Sequence, residues 1–248
     1  MSSAVAVIPA RWASVRFPGK ALAVVGGKPL IRHVWERARS LTTVARVVVA
    51  TDDARIAEAV TGFGGAVTMT RADHPSGTDR VAEAMRGEAA ELVVNLQGDE
   101  PTFDAKAVDE LVRLMADDPG IQMGTLAHPI RDADEREDVN ATKVVLDAAG
   151  YALYFSRAPI PFRRQVGFAT TLRHIGIYVF RSPFLQRFAS LPPTPLERTE
   201  TLEQLRAVEH GVRIRVLVTP HASLGVDTPA DLDRLARHLA AEGGEGSL

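Results

Sequence analysis

At 248 residues the chain is long enough to bury a full core, either as one α/β domain or as a domain with a smaller lobe. Its formal net charge of −2 argues against a globally basic nucleic-acid binder, so anion chemistry must come from local clusters. The absence of cysteine excludes disulfides, thiolate zinc sites, iron–sulfur clusters and cysteine nucleophiles.

The first predicted strand is Val5–Ile8. The loop after it carries Arg11, Arg16 and Lys20 around Pro18 and Gly19, and the first acidic residue of the chain is Glu36. Leu30, Ile31, Val34, Trp35 and Ala38 have helical spacing, with Pro29 suited to the first turn. A strand at Val47–Ala50 precedes a helix marked by Ile56, Ala59 and Val60, with Asp52 and Asp53 as capping candidates. A strand at Ala66–Met69 precedes a helix marked by Val81, Ala82 and Met85, with Ser76 or Thr78 as cap. Leu92–Leu96 is the next strand. Alternating strands and helices predict βαβ units and a largely parallel sheet. The continuous apolar runs fit strands covered on both faces.

The second half changes character. "KVVLDAAGYALYFSR" predicts two strands around a turn at Gly150, and "RHIGIYVF" another strand. "ETLEQLRAVEHG" predicts a helix ending at Gly211. "RIRVLVT" is a strand, and "TPADLDRLARHLAAE" a helix with Thr228 as cap and Pro229 in its first position. "GGEGSL" is expected to fray. Residues 1–248 read as a single domain in which about 130–180 form an inserted lobe. No apolar run approaches the ~18–20 residues that cross a bilayer. Pro9, Pro18 and Pro29 would break an N-terminal amphipathic helix, and "AVAVI" is short for a secretory core. The expectation is a cytoplasmic protein.

In a parallel sheet, ligands sit beyond the carboxyl ends of the strands, where the first loop lies. Arginine can grip phosphate with two parallel hydrogen bonds, and lysine acts as a mobile point charge. With backbone N–H groups around Gly19, the loop suits a polyphosphate. The competing reading is a solvated basic loop. "GGKP" lacks the P-loop spacing and "GFGG" is not the dinucleotide fingerprint. "LVVNLQGDEP" places Asp99 just past a buried strand, where adjacent carboxylates are costly without partners. "SLGVDTP" places Asp227 after another strand, where it could assist capping or, with Asp99, share a magnesium ion.

These segments together resemble the 3-deoxy-manno-octulosonate cytidylyltransferases, the CMP-Kdo synthetases. The resemblance runs through "IPARWASVRFPGKAL", "VATDD", "MTRADHPSGTDRVAEA", "VVNLQGDEP", "KVVLDAAGYALYFSRAPIP", "RHIGIYVFR", "PLERTETLEQLR" and "GVDTP". Trp12, Val15 and Phe17 stand where the family more often has Tyr, Thr and Leu, and "FRRQVGFATTL" is shorter than usual. The resemblance implies an α/β, three-layer, Rossmann-like nucleotidyltransferase fold with a mostly parallel central sheet and a smaller β-containing lobe. It implies transfer of CMP from CTP to 3-deoxy-D-manno-octulosonate (Kdo), releasing pyrophosphate, for lipopolysaccharide synthesis. Arg11, Ser14, Arg16, Lys20, Ser76, Gly77, Arg80 and Gln97 would bind the nucleotide. Arg11, Lys20, Asp99 and Asp227 would be catalytic, with Mg2+ on Asp99 and Asp227.

Arg157, His174, Tyr178, Glu203 and Gln204 are the sugar-acid candidates. An interface ion pair is the other reading of Arg157, core packing that of His174 and Tyr178, and an exposed helix face that of Glu203 and Gln204. No general base is assigned. A homodimer through the 130–180 lobe is expected. The competing functions are cytidylyl transfer to another acidic sugar (8-amino-Kdo or sialic acid), a metal-dependent glycosyltransferase, and a non-catalytic nucleotide-binding module. The absence of an Asp-x-Asp pattern in "QGDEP" counts against the glycosyltransferase.

Overall fold

The computed structural model describes residues 4–13, 17–165 and 167–245. In chain order the elements are β1 (Ala4–Ala10), a 3-10 turn (Lys20–Leu22), β2 (Val24–Val25), β3 (Lys28–Pro29), α1 (Leu30–Ala38), β4 (Val44–Thr51), α2 (Ala54–Gly62), β5 (Ala66–Met69), α3 (Gly77–Ala84), β6 (Leu92–Asn95) and α4 (Ala105–Asp117). They continue with β7 (Met123–Pro129), α5 (Ala133–Glu137), β8 (Lys143–Leu146), β9 (Ala152–Ser156), β10 (Leu172–Arg181), α6 (Ser182–Ser190), α7 (Pro195–Glu200), α8 (Leu205–Glu209), β11 (Ile214–Val218) and α9 (Pro229–Glu245). Two compact units result. The first comprises the described residues of Ser3–Ala89, Asn95–Ala105 and Ser223–Leu248; the second comprises Ala90–Val94 and Lys106–Ala222.

In the first unit β1, β4 and β5 form a parallel sheet. Every residue of β1 is buried, as expected of a strand covered on both faces. The apolar stripe of α1 is buried through Leu30, Ile31, Val34, Trp35 and Ala38. Pro29 itself is extended and precedes the helix instead of opening its first turn. Asp53 caps α2 by accepting from Arg55 N, and Ser76 caps α3 by accepting from Asp79 N. Thr78 lies inside α3. Against a core of Val25, Leu30, Val226 and Leu235, α9 adds Leu232 and Leu239.

In the second unit the strand order is β11-β7-β10-β6, with β8 against β10 and β9 against β8. Here β7 is parallel to β11 and antiparallel to β10. The turn at Gly150 joins β8 to β9 as its positive φ of 78° requires.

Two expectations are corrected. The helix expected over "ETLEQLRAVEHG" is confined to α8, and an additional helix, α7, ends at the first residue of that run, where Thr201 adopts left-handed φ 54°, ψ 48°. Side-chain and backbone bonds from β9 hold the break: Ser156 Oγ and Arg157 N donate to the Glu200 carboxylate, and Arg157 Nε to the Glu200 carbonyl. At the other end α9 runs through Glu245, so the first three residues of "GGEGSL" are helical, while its last three lie outside the described residues. Adding a residue to an existing helix costs far less than nucleating one.

Candidate active site

β1 delivers Pro9, Ala10 and Arg11 to the carboxyl end of the parallel sheet. The loop returns where Gly19 N donates to the Trp12 carbonyl at 3.0 Å. Gly19 has φ +72°, and a Cβ there would meet the Trp12 ring at 3.0 Å, so both the turn and the packing require glycine. The chain then enters the 3-10 turn with Lys20 as its first residue. Ser14 and Arg16, two of the predicted nucleotide ligands, lie outside the described residues.

Two later segments close on this turn. Past β6 the backbone runs so near β1 that a Cβ on Gly98 would sit 2.9 Å from the Pro9 carbonyl oxygen. Val226 N donates to the Asp99 carbonyl at 2.9 Å, which ties the segment before α9 to the segment after β6. Lys20 Nζ donates to Asp99 Oδ2 at 2.6 Å and to Asp227 Oδ1 at 3.3 Å. Capping of α9 falls to Thr228 Oγ1, which accepts from Asp231 N, while Asp231 accepts from the amides of Asp227 and Thr228. The Asp227 side chain therefore faces Lys20, not the helix end.

Arg11, Lys20, Ser76, Gly77, Arg80, Gln97, Asp99 and Asp227 line one cavity of about 260 Å³, completed by Pro9, Ala10, Ala21, His74 and Gly98. Ser76 and Gly77 bring the amino end of α3 to its wall, which favours anions. Arg80 is 3% exposed, which matters because a guanidinium so enclosed needs its donors satisfied. Its Nη1 donates to Thr70 Oγ1 at 2.5 Å and to the Arg71 carbonyl at 3.2 Å, and Nη2 lies 3.0 Å from Asp52 Oδ1. Burial pushes the Arg80 guanidinium below its ordinary value; Asp52 opposes the shift and the nearby charge of Arg11 adds to it. His74 Nε2 is hydrogen-bonded to Glu83 Oε2. Burial raises the Glu83 carboxyl, but its bonds with His74 and Arg71 N outweigh that and hold it below the usual range.

The Lys20 ammonium also tests whether the aspartates suit a metal. One cation already stands within ion-pair distance of both carboxylates. Their oxygens are the donors a hard divalent ion prefers. Among the described residues no group of three or more His, Cys, Asp or Glu is placed to hold a metal, so phosphate and water would have to complete the shell.

The chain is similar to known proteins over nearly its whole length. Residues 5–214 match the family model described as "Cytidylyltransferase". A 3-deoxy-manno-octulosonate cytidylyltransferase of Geobacter sulfurreducens is 51% identical over 94% of this chain and 98% of that protein. One from Syntrophotalea carbinolica is 53% identical over 96% of this chain and 98% of that protein. A solved CMP:2-keto-3-deoxy-manno-octonic acid synthetase complexed with CTP superposes with TM-score 0.93 at 47% identity, over 97% of this chain and all of that one. The chain belongs to the 3-deoxy-manno-octulosonate cytidylyltransferase family. A Leptospira borgpetersenii cytidylyltransferase, 19% identical with TM-score 0.65 over 97% of this chain and 88% of that one, shares the α/β fold.

Family membership directs attention to the sugar-acid candidates, all of which lie in the second unit. His174, Tyr178 and Gln204 come together. The His174 and Tyr178 rings are 5.5 Å apart, and Tyr178 Oη donates to Gln204 Oε1 at 3.1 Å. Burial pushes the His174 imidazole down to about 3, with Arg173 adding to the shift, so the ring is neutral; its Nε2 is 2.9 Å from Thr125 Oγ1. Burial also raises the Tyr178 hydroxyl well above its ordinary value, and the charge of nearby Glu203 raises it further. Gln204 is buried and its Nε2 has no hydrogen-bond partner among the described residues, so an exposed helix face does not describe it. Arg157 stands apart from this group in its bonding: its guanidinium donates to the carbonyls of Glu200, Val139 and Thr201.

Sequence alone gives His74 no role and Asp52 only that of a helix cap. His74 lies inside "HPSGTDR", two residues before the α3 cap, and that position beside a helix amino end is the available signal. Asp52 looked like a helix cap because Asp53, the actual cap, is its neighbour.

Proposed function

We propose that this chain transfers CMP from CTP to Kdo, giving CMP-Kdo and pyrophosphate. One observation carries the reading: Arg11, Lys20, Arg80 and the two distant aspartates share one cavity at the carboxyl end of β1. In the reaction the anomeric hydroxyl oxygen of Kdo forms a bond to the α-phosphorus of CTP, the bond from that phosphorus to the bridging oxygen breaks, and the hydroxyl proton is released. Little covalent chemistry falls to the protein, so positioning and charge neutralisation do the catalysis.

Arg11 and Lys20 face the phosphates, and Arg80 with the α3 amino end adds donors. Ser76 and Gly77 shape the nucleotide pocket, with Gln97 near the base. Ser14 and Arg16, outside the described residues, belong to the nucleotide ligands on the same reading. Asp99 and Asp227 would hold Mg2+, which would supply positive charge beside the nucleotide phosphates. No side chain is assigned as general base.

On the acceptor side His174, Tyr178, Glu203 and Gln204 bind the sugar hydroxyls; the unsatisfied Gln204 Nε2 supports this. Arg157 binds the sugar carboxylate by exchanging the carbonyls it now serves. A homodimer through the 130–180 lobe belongs to the same reading, supported by Phe162 and Phe168 at 87% and 85% exposed. Its work is in the cytoplasm, where CTP is made, and serves lipopolysaccharide synthesis.

The test is pyrophosphate release from CTP, Kdo and Mg2+ with each component omitted in turn. Release only from the complete mixture is expected. No release with Kdo, or release only with 8-amino-Kdo or sialic acid, would overturn the assignment.

A further inference from the structure

The tandem Asp52–Asp53 follows β4, and the two carboxylates serve different partners. Asp53 accepts from Arg55 N at 3.0 Å as the cap of α2. It also grips the Arg55 guanidinium with both oxygens, from Nε at 2.9 Å and Nη2 at 2.6 Å. Held so, the Arg55 guanidinium carbon lies 3.3 Å from the centre of a Trp12 ring. That indole in turn packs on Gly19, whose amide donates to the Trp12 carbonyl, and Lys20 follows directly. Asp52 takes the other direction, pairing at 3.0 Å with Arg80 Nη2 while Thr70 and Arg71 hold Nη1.

Capping α2 needs only one aspartate, and Asp53 does it. The second carboxylate lies against a buried cation that lines the cavity. We propose that Asp52 and Asp53 are positioning residues of the nucleotide site: Asp52 fixes Arg80, and Asp53, through Arg55 and Trp12, fixes the Gly19–Lys20 turn. This rests on the cavity being the CTP site. A guanidinium already oriented, and a lysine on a braced turn, lose less freedom when they meet phosphate. A carboxylate beside Arg80 also offsets the cost of enclosing its charge.

The test compares Asp52→Asn, Asp52→Glu, Trp12→Ala and Trp12→Tyr with the unchanged full chain. CTP binding is read by calorimetry well below each Tm, alongside KM for both substrates. Asp52→Asn should weaken CTP binding about tenfold, the low end of what a close, enclosed charge pair contributes, with KM for Kdo unchanged. Asp52→Glu keeps the charge, should recover part of the loss, and keeps the test open should the Asn variant fold poorly. Trp12→Ala should weaken CTP binding several-fold and Trp12→Tyr restore it, since a tyrosine ring can still stack under Arg55. A lowered Tm with unaltered CTP affinity in Asp52→Asn or Trp12→Ala would mean a purely structural role and overturn the proposal for the aspartate concerned. Failure of the unchanged chain to bind CTP would instead reject the nucleotide site itself.

Discussion

Lys20→Met separates what the lysine does for the fold from what it does for the reaction. At 2.6 and 3.3 Å from its two aspartates, Coulomb's law at an effective dielectric near 20 gives about 6 and 5 kcal/mol as ceilings. The Asp99 and Asp227 side chains are 34% and 48% exposed, so solvent screening reduces the net worth of such pairs to about 1 kcal/mol. Stability should therefore fall by about 1 kcal/mol, a Tm loss of roughly 2–4 °C for a chain of this size. The transition state is a different matter, because negative charge develops where the ammonium can follow it. Loss of a comparable stabilising donor costs about 2–4 kcal/mol, or roughly 30- to 1000-fold in kcat/KM. Lys20→Arg should recover little, since a planar fork cannot stand between two carboxylates as a compact ammonium does. Pyrophosphate release gives kcat/KM and a thermal melt gives Tm. A kcat/KM unchanged in Lys20→Met would refute the role given to this residue.

Asp99→Asn should cut turnover sharply and raise the Mg2+ requirement while the melt stays near that of the parent; full activity at ordinary Mg2+ would remove Asp99 as a ligand. Gly98→Ala should cost about 1–3 kcal/mol in a denaturant titration, because the new Cβ meets the Pro9 carbonyl oxygen at 2.9 Å, and should lower activity by displacing Asp99. An unshifted midpoint would mean the backbone approach is not tight. His174 makes stability depend on pH. Its folded pKa of about 3 is depressed below the unfolded value, so between about 3 and 6.5 the unfolded chain binds the extra proton. Stability is then full above the unfolded pKa and falls as pH drops, by about 2 kcal/mol from pH 7 to pH 5. His174→Gln should flatten that slope in urea titrations, and an unaltered slope would show that the ring titrates normally.

The local skeleton of the site was legible in the sequence because local rules govern it. A run of apolar residues ending in Pro9, a serine before Gly77 and a threonine before Pro229 each report on their own few neighbours, and Ser76 and Thr228 do cap. The pairings were not legible, because they are tertiary. Lys20 and Asp227 are 207 positions apart, and the Asp227 segment is held in place by tertiary bonds such as Val226 N to the Asp99 carbonyl and Leu224 N to Thr102 Oγ1. The break between α7 and α8 was hidden for the same reason: nothing local forces Thr201 into the left-handed region, whereas Ser156 and Arg157 from β9 hold Glu200 beside it. Arg157 reads as a free fork of donors until the carbonyls it serves are known.

Lys20 of the first loop has no local acid because its counter-charges, Asp99 and Asp227, arrive from elsewhere in the chain, and across the same cavity Asp52 likewise answers Arg80 of α3. A cationic loop so balanced can remain folded around a partly enclosed site, where an uncompensated charge would be costly. On the proposed reading an entering triphosphate offers Lys20 a second set of anions. The carboxylates that the ammonium leaves behind would be uncompensated in turn, unless they faced Mg2+. The lysine and the aspartates would thus each be partnered before and after the nucleotide binds. The exchange requires nucleotide and divalent cation to arrive in linked fashion, each raising the affinity for the other. Calorimetric titration of CTP with and without Mg2+ measures that coupling, and equal CTP affinity in both conditions would contradict the exchange.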